Sequence, residues 1–270
     1  MSDDNIALSE KRMYGEKRPE THAYVASGLG ITRVETAGGQ IGRFSLSERC
    51  TARDVAGESG EVAVATDESV LVLTEDGFAE TGFGAATAVG YDAEGLLAAA
   101  DGRVARYDGD WHDIGRVDDV RAIDGDLLAA ANGVYTLPGL ERLGLADVVD
   151  VASGYAATAD GLYRRNGDGG PSEGWSEVRS GTHQAIASDG DRTHAAAADG
   201  LYELEAGSWT SCDLPVTERV IDVTHGEDTY AITENGTFLV ATTAAATADG
   251  QGGWRQRSLG IPDVVGLAVA

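Results

Sequence analysis

The stretch that decides the fold is Ala-Asp-Gly-Leu-Tyr at 159–163, which returns unchanged at 198–202. Each copy stands at the same place in a longer unit. That unit reads as an apolar strand, a polar turn, a small-residue strand, a tight turn, an aromatic strand, a loop and a strand led by tryptophan or phenylalanine. Repetition at a period near 40 residues is typical of a β-propeller, in which each unit forms one blade. The sequence therefore predicts a ring of four-stranded antiparallel blades.

Seven segments have the pattern of a blade's first strand, and their number predicts the number of blades. They are 53–56, 87–91, 120–124, 148–152, 184–188, 220–224 and 264–269. We therefore expect an all-β, seven-bladed β-propeller. It forms a single domain over residues 21–270, preceded by a basic arm over residues 1–20.

The two ends of the chain predict how the ring closes. Residues 21–47 supply three strands without a first strand, whereas residues 263–270 supply a first strand that nothing follows. Paired together, these segments complete one blade and remove the open edges that would invite aggregation. The C-terminal strand is therefore predicted to be the innermost strand of the N-terminal blade.

Asp-Gly or Asn-Gly recurs between the second and third strands of five units. A two-residue hairpin of type I′ needs positive φ at both central residues, and these dipeptides adopt it most readily. Type I′ turns are therefore predicted at 101–102, 132–133, 160–161, 199–200 and 235–236.

The four tryptophans also recur in register, because each opens a fourth strand. A row of tryptophans can stack on carbohydrate, but a fixed place in each unit favours packing between blades. We therefore interpret them as core residues: Trp111, Trp175, Trp209 and Trp254.

The composition is strongly acidic, with 45 acidic and 20 basic residues and a net charge of −25. Such self-repulsion is tolerable where salt screens it, so the charge indicates a halophilic protein. It argues against free DNA or a membrane as a partner.

Cys50 and Cys212 stand in separate units without a Cys/His cluster, which indicates two free, half-buried thiols. No signal pattern or long apolar run is seen, so a soluble cytoplasmic protein is expected.

The Ala-Asp-Gly-Leu-Tyr blade resembles the repeats of sialidase-like and photosystem-assembly-factor-like propellers. The whole chain, with its acidic bias, resembles a haloarchaeal β-propeller family. This resemblance implies the fold and an archaeal source but no activity, since one fold hosts many functions.

Arginines gather in the connectors between one blade's fourth strand and the next blade's first strand. Six connectors carry one, and two more follow in the first strands: Arg49, Arg116, Arg142, Arg179, Arg219 and Arg257, then Arg53 and Arg121. They would converge on one channel mouth and bind carboxylate or phosphate groups. Alternatively, each arginine pairs with a turn of a neighbouring blade.

The N-terminal arm concentrates basic residues, namely Lys11, Arg12, Lys17 and Arg18. Both lysines of the chain are among them. One hypothesis is a docking arm for an acidic partner or RNA. The other is an arm folded back onto the protein's own acidic surface.

His22, His194 and His225 fall near one face of adjacent blades, which hints weakly at a metal. Their different radial depths argue against convergence, so no metal or cofactor is expected. No catalytic motif is recognisable. The sequence therefore favours a non-enzymatic scaffold, whose partner is a protein or an RNA-containing assembly, bound through the arginine-rimmed face and the arm. The alternatives are a metal- or carboxylate-dependent hydrolase or lyase at the channel mouth, and a sensor of small anions.

Overall fold

The computed structural model describes residues 20–167, 174–242 and 253–270. Over these residues the strands assemble into seven four-stranded antiparallel sheets, which are the blades of a propeller. The predicted all-β, seven-bladed architecture is confirmed.

The strands of the first four blades, in chain order, are the following. Blade 1 contains β1 (Thr21–Ser27), β2 (Gly30–Ala37) and β3 (Gln40–Glu48). Blade 2 contains β4 (Ala52–Glu58), β5 (Glu61–Thr66), β6 (Val70–Thr74) and β7 (Gly77–Glu80). Blade 3 contains β8 (Ala88–Asp92), β9 (Gly95–Ala100), β10 (Arg103–Tyr107) and β11 (Trp111–Arg116). Blade 4 contains β12 (Val120–Asp124), β13 (Leu127–Ala130), β14 (Gly133–Thr136) and β15 (Arg142–Gly144).

The remaining strands form three further blades and the closing strand. Blade 5 contains β16 (Val148–Ala152), β17 (Tyr155–Thr158), β18 (Gly161–Arg165) and β19 (Trp175–Ser180). Blade 6 contains β20 (His183–Ser188), β21 (Thr193–Ala197), β22 (Gly200–Glu205) and β23 (Ser208–Ser211). Blade 7 contains β24 (Val220–His225), β25 (Thr229–Thr233), β26 (Thr237–Ala241) and β27 (Arg255–Ser258). The closing strand is β28 (Val264–Val269).

Strand β28 closes the ring as predicted. It pairs antiparallel with β1, from Ala23 opposite Val269 to Ser27 opposite Val264. Its other neighbours are β24 and β4, so the innermost strands contact one another around the whole ring. Blade 1 is therefore built from both ends of the described chain.

The core is divided into seven apolar clusters, each lying between two adjacent blades. Tryptophans bind these layers together, as predicted. The Trp175 indole N–H of blade 5 donates to the carbonyl of Leu143 in blade 4 at 3.1 Å. Trp209 of blade 6 packs edge-on against Tyr155 of blade 5. Small alanines elsewhere in the layers allow the sheets to approach closely.

The predicted type I′ turn is correct only at Asp101–Gly102, where φ is 49° and 76°. In three other units the two-residue loop is shifted by one position, so the glycine pairs as the first residue of the third strand. The turn at 234–236 has three residues between its strands, and only Gly236 has positive φ. Gly133 illustrates the need for glycine: its φ is 147°, and a Cβ would lie 2.6 Å from the Gly144 carbonyl oxygen.

Antiparallel pairing gives the disc two faces. One side carries the connectors between blades, such as 49–51 and 181–182, and the turns between second and third strands; we call it the connector face. The hairpin face carries the turns between first and second strands, such as 125–126 and 189–192. None of the described segments is a helix of the length and apolarity that crossing a membrane requires.

Candidate functional site

Six of the eight predicted arginines are engaged on the connector face or across its rim. Most bond to a turn or connector of their own blade, and the turn of a neighbouring blade that the alternative predicted is bonded only by Arg179 among the contacts described below. Arg116 donates to the Asp101 carbonyl at 3.5 Å, and Arg142 to the Asn132 and Leu145 carbonyls at 2.7 and 2.6 Å. Arg219 lies 3.3 Å from Glu234. Arg257 donates to the Gly42 carbonyl and covers the Phe44 ring at 4.9 Å.

Arg179 is the most constrained of these arginines. Its Nη2 donates to both carboxylate oxygens of Asp199 at 3.0 and 3.1 Å. Its Nη1 is 3.1 Å from His183 Nε2, and its guanidinium lies 3.6 Å above the Tyr202 ring. Arg179 belongs to blade 5 and its partners to blade 6, so it fastens two blades together.

Arg121 lines the central channel and also bridges blades. Its Nη1 donates to the Val148 carbonyl of the next blade at 3.3 Å, and its Nη2 donates to Asp119 at 3.1 Å. The channel has a volume of about 480 Å³ and is walled by the innermost strands. The Arg121 guanidinium is therefore bonded to residues of the ring and is not free to bind a ligand at the channel mouth.

Polar side chains of the innermost strands make equivalent bonds at five further junctions. Thr87 and Gln184 donate to main-chain carbonyls of the next blade, those of Val120 and Val220. Three aspartates instead accept main-chain N–H groups of the next blade. They are Asp54 from Val89 at 2.9 Å, Asp150 from Ile186 at 2.7 Å and Asp222 from Leu267 at 2.6 Å.

The second oxygen of each of these aspartates accepts the N–H of the following residue in its own strand, at 2.8 Å in all three. Burial in the channel wall raises the pKa of Asp54 and Asp222 to about 7. Burial also raises the pKa of Asp150 well above its usual range, and the charge of Asp222 adds to this effect. The three carboxyls therefore repel one another across the channel while their hydrogen bonds hold the blades.

The sequence analysis missed these aspartates, although a signal for them exists. Each is an acid within an apolar first strand and is followed by valine: Asp54-Val55, Asp150-Val151 and Asp222-Val223. An acid at one fixed place in a buried strand indicates a structural acceptor, because an unpaired charge there would be costly.

Arg49 and Arg53 differ from the other six arginines. Both are exposed, and neither guanidinium has an ion-pair partner within the described residues. Arg49 follows blade 1, and Arg53 lies in β4 of blade 2. They are the two predicted arginines of this face whose guanidiniums make neither an ion pair nor a hydrogen bond within the described residues.

Two exposed apolar side chains lie on the same face, in segments of blade 1 that neighbour those of the two arginines, and Val265 also lines the channel. The side chains of Leu29 and Val265 are 55% and 43% exposed. A Cβ on Gly30, next to Leu29, would lie 3.1 Å from the Arg49 Cα, and one on Gly266, next to Val265, would lie 3.2 Å from Val55 Cγ1. We call Leu29, Arg49, Arg53 and Val265 the connector patch.

The basic arm, with Lys11, Arg12, Lys17 and Arg18, lies outside the described residues. The described chain begins at Glu20, beside His22, whose carbonyl accepts the Ala270 N–H at 3.2 Å. This point is on the hairpin face, where the innermost strands end. The arm therefore joins the disc on the face opposite to the connector patch.

Two of the three candidate histidines meet between blades 6 and 7. His194 Nδ1 is 2.9 Å from His225 Nε2, closer than their different depths in the blades predicted. His22 lies apart in blade 1 and pairs with Glu20 at 3.6 Å. Burial lowers the pKa of His194 to about 3 and that of His225 to about 4, and the nearby Arg192 adds to both shifts. Both rings are therefore neutral at physiological pH.

Comparison with known proteins places the chain among propellers. A family model described as "Beta-prop_HVO_0234:-like, beta propeller" matches residues 7–270. No curated protein matches the sequence.

Several solved structures have the same fold at low sequence identity. One is a crystal structure of a nidogen/laminin complex, with 13% identity, a TM-score of 0.57 and coverage of 93% of this chain and 98% of that chain. Another is AztD from Citrobacter koseri, with 11% identity, a TM-score of 0.55 and coverage of 90% and 83%. A third is YCF48 from Cyanidioschyzon merolae, with 13% identity, a TM-score of 0.55 and coverage of 81% and 88%. At these identities the likeness concerns the fold alone.

Proposed function

The chain belongs to the HVO_0234-like family of β-propellers, and on that premise we propose that it is a non-enzymatic scaffold that binds another protein through the connector patch. The partner segment on this proposal presents carboxylates to Arg49 and Arg53 and apolar side chains to Leu29 and Val265. On this proposal the basic arm supplies a second contact to the partner.

One observation carries this proposal: the unpaired arginines and the exposed apolar residues coincide. The large apolar side chains that are exposed in the described chain all belong to blade 1, and two of them lie in the patch. The chain has 20 basic residues against 45 acidic ones, and six of the eight predicted arginines already bond to other groups of the described chain. Arginine beside exposed apolar surface is the composition of protein interfaces rather than of ordinary surface.

A protein partner is favoured over RNA by the charge of the whole molecule. A net charge of −25 repels a phosphate backbone, and two guanidiniums supply little phosphate affinity. A carboxylate segment of a few residues needs only local complementarity, because salt screens the more distant charges.

The channel supports the hydrolase alternative less well. A catalytic carboxylate must reach a substrate, whereas both oxygens of Asp54, Asp150 and Asp222 already accept main-chain N–H groups. The same acidic wall disfavours an anion inside the channel, and its lining arginine, Arg121, is bonded to the next blade.

The test is a quantitative capture from native lysate with the full chain as bait, followed by binding of the purified captured protein. The patch variant combines Leu29→Ser with Arg53→Glu. The matched control is Arg43→Glu, since the Arg43 side chain is 89% exposed but lies on the outer strand β3. We expect the patch variant to weaken the purified interaction at least about tenfold, the equivalent of about 1.4 kcal/mol, and the control to leave it unchanged.

Equal binding by the wild type and the patch variant would overturn the proposal. Loss of all capture after ribonuclease treatment would replace the protein partner with RNA. If Arg43→Glu weakens binding as much as the patch variant does, the loss reflects the overall charge of the protein rather than the connector patch.

A further inference from the structure

Three side chains with metal-binding atoms meet on the side of blade 6 that faces blade 7. A nitrogen of His194, a carboxylate oxygen of Glu203 and the sulfur of Cys212 all lie within 4.8 Å of one another. His194 and Glu203 are opposite each other in the pairing of β21 with β22. Cys212 is held alongside by its main-chain N–H, which donates to the Leu201 carbonyl at 2.9 Å. The sheet therefore fixes the backbone of all three residues.

A relay of a second histidine and an aspartate lies behind the His194 ring. His194 Nδ1 is hydrogen-bonded to His225 Nε2 at 2.9 Å, and His225 Nδ1 is 3.7 Å from Asp189 Oδ2, which is beyond hydrogen-bond distance. Asp189 is itself fixed by two hydrogen bonds from the Arg192 guanidinium. When the N–H of each ring points along the relay toward Asp189, His194 Nε2 presents its lone pair to Glu203 and Cys212. Histidine ligands of metals are commonly oriented by such an outer acceptor.

We propose that His194, Glu203 and Cys212 bind one Zn²⁺ ion. Imidazole nitrogen, carboxylate oxygen and thiolate sulfur are the donors that Zn²⁺ takes in proteins, at about 2.0–2.3 Å. Bonds of that length bring the ligands to within about 4 Å of one another. Rotation of the Glu203 side chain, which is 40% exposed, supplies the remaining approach. The fourth position then opens to solvent on the Glu203 side.

Cys212 and Trp254 both pack against the apolar cluster between blades 6 and 7. Trp254 also packs edge-on against the His194 ring, at 6.3 Å between centroids. Blade 7 thus covers the apolar side of the site and leaves its Glu203 side open.

The test uses Co²⁺ as a spectroscopic substitute for Zn²⁺ on the full chain, after removal of metal with a chelator. A thiolate bound to Co²⁺ gives a charge-transfer band in the near ultraviolet, and Zn²⁺ displaces it. Cys212→Ser removes the proposed thiolate. Cys50→Ser is the matched control, because Cys50 is the other free, half-buried cysteine. Glu203→Gln changes the most exposed ligand and leaves the core intact.

We expect one Co²⁺ per wild-type chain with the charge-transfer band, the same band in Cys50→Ser, and none in Cys212→Ser. Glu203→Gln is expected to weaken Zn²⁺ binding at least about tenfold, the loss typical of a disturbed metal site. A wild type without the band, or a Cys212→Ser variant that keeps it, overturns the proposal. If Cys212→Ser does not fold, the Glu203→Gln affinity decides: an unchanged Kd counts against the site.

Discussion

The Asp222 carboxylate of blade 7 accepts the main-chain N–H of Leu267 at 2.6 Å. Leu267 lies in β28, the strand that completes blade 1. A buried acid thus ties blade 7 to the strand that closes the ring, across a junction that the connector 259–263 also spans; the seam without chain continuity is the pairing of β28 with β1. Asp54 and Asp150 make the equivalent bond at two other junctions, so ring closure uses a device that the propeller also uses elsewhere.

Asp222→Asn is expected to lower the free energy of unfolding by about 1–3 kcal/mol. The amide nitrogen faces either the Val223 or the Leu267 N–H, so one buried donor loses its acceptor. Urea unfolding measures the effect. The same change at the exposed Asp191 is the control, expected within about 0.5 kcal/mol of the wild type. Equal stability of the two variants would contradict a role in closure.

The loss of stability caused by Asp54→Asn is expected to shrink as pH rises from 5 to 8. The pKa of Asp54 is about 7 in the folded protein and 3.8 for an ordinary aspartate, mainly because of burial. Between these values the folded state holds a proton that the unfolded chain has released. Its contribution to stability is therefore complete below the unfolded pKa and is lost as pH rises through 7. The Asp54→Asn variant has no carboxyl at this position, so its stability does not fall with pH for this reason.

Urea midpoints of the wild type and Asp54→Asn at pH 5 and pH 8 measure this difference. All other titratable groups are the same in the two proteins, so the difference between their midpoints reports on the Asp54 carboxyl. A difference that stays constant from pH 5 to pH 8 would mean that Asp54 is ionised throughout and would contradict the prediction.

Gly133→Ala is expected to destabilise the protein by more than about 1 kcal/mol. An alanine strains the backbone at a φ of 147°, and its Cβ meets the Gly144 carbonyl oxygen at 2.6 Å. Gly253→Ala is the control, since none of the described residues lies within 4 Å of its Cβ position. Thermal unfolding of both variants is the measurement, and matching transition temperatures would show that β15 moves away without cost.

Arg179→Ala is expected to lower the free energy of unfolding by about 1–3 kcal/mol, because it removes two hydrogen bonds to Asp199 and the stacking on Tyr202, both between blades 5 and 6. Arg53→Ala is expected to change it by less than about 0.5 kcal/mol, since that side chain is exposed and has no ion pair within the described part of the chain. Urea unfolding of the two variants measures this difference between an arginine that holds two blades together and one that is exposed. The reverse ranking would mean that the contacts of Arg179 are not the ones that hold the blades.

The repeat made the fold predictable because the units share one pattern of strands and turns. The unmatched strand at 264–269 even predicted closure, and the structure has it as Val264–Val269. Turn geometry was less predictable. Asn132 and Gly133 could form the two central residues of the hairpin loop, or Gly133 could be the first residue of the third strand, as the structure has it. Only the position of the fourth strand distinguishes these two arrangements.

The candidate sites were less predictable, because they depend on contacts between blades. Arg179 and Arg53 look alike in sequence, yet one is bonded to the neighbouring blade and the other is exposed. Likewise, His194 meets His225 because blade 7 packs its innermost strand against the second strand of blade 6. Neither a spacing nor a motif encodes that distance.

The pairing of β28 with β1 also sets an order of events during synthesis. Strand β1 leaves the ribosome before the other strands of the propeller, but its partner is translated only after all six other blades. Until residue 269 emerges, Thr21–Ser27 exposes a row of unpaired main-chain groups beside an apolar layer. The nascent propeller is therefore open to mispairing with a neighbouring copy while its six other blades are translated.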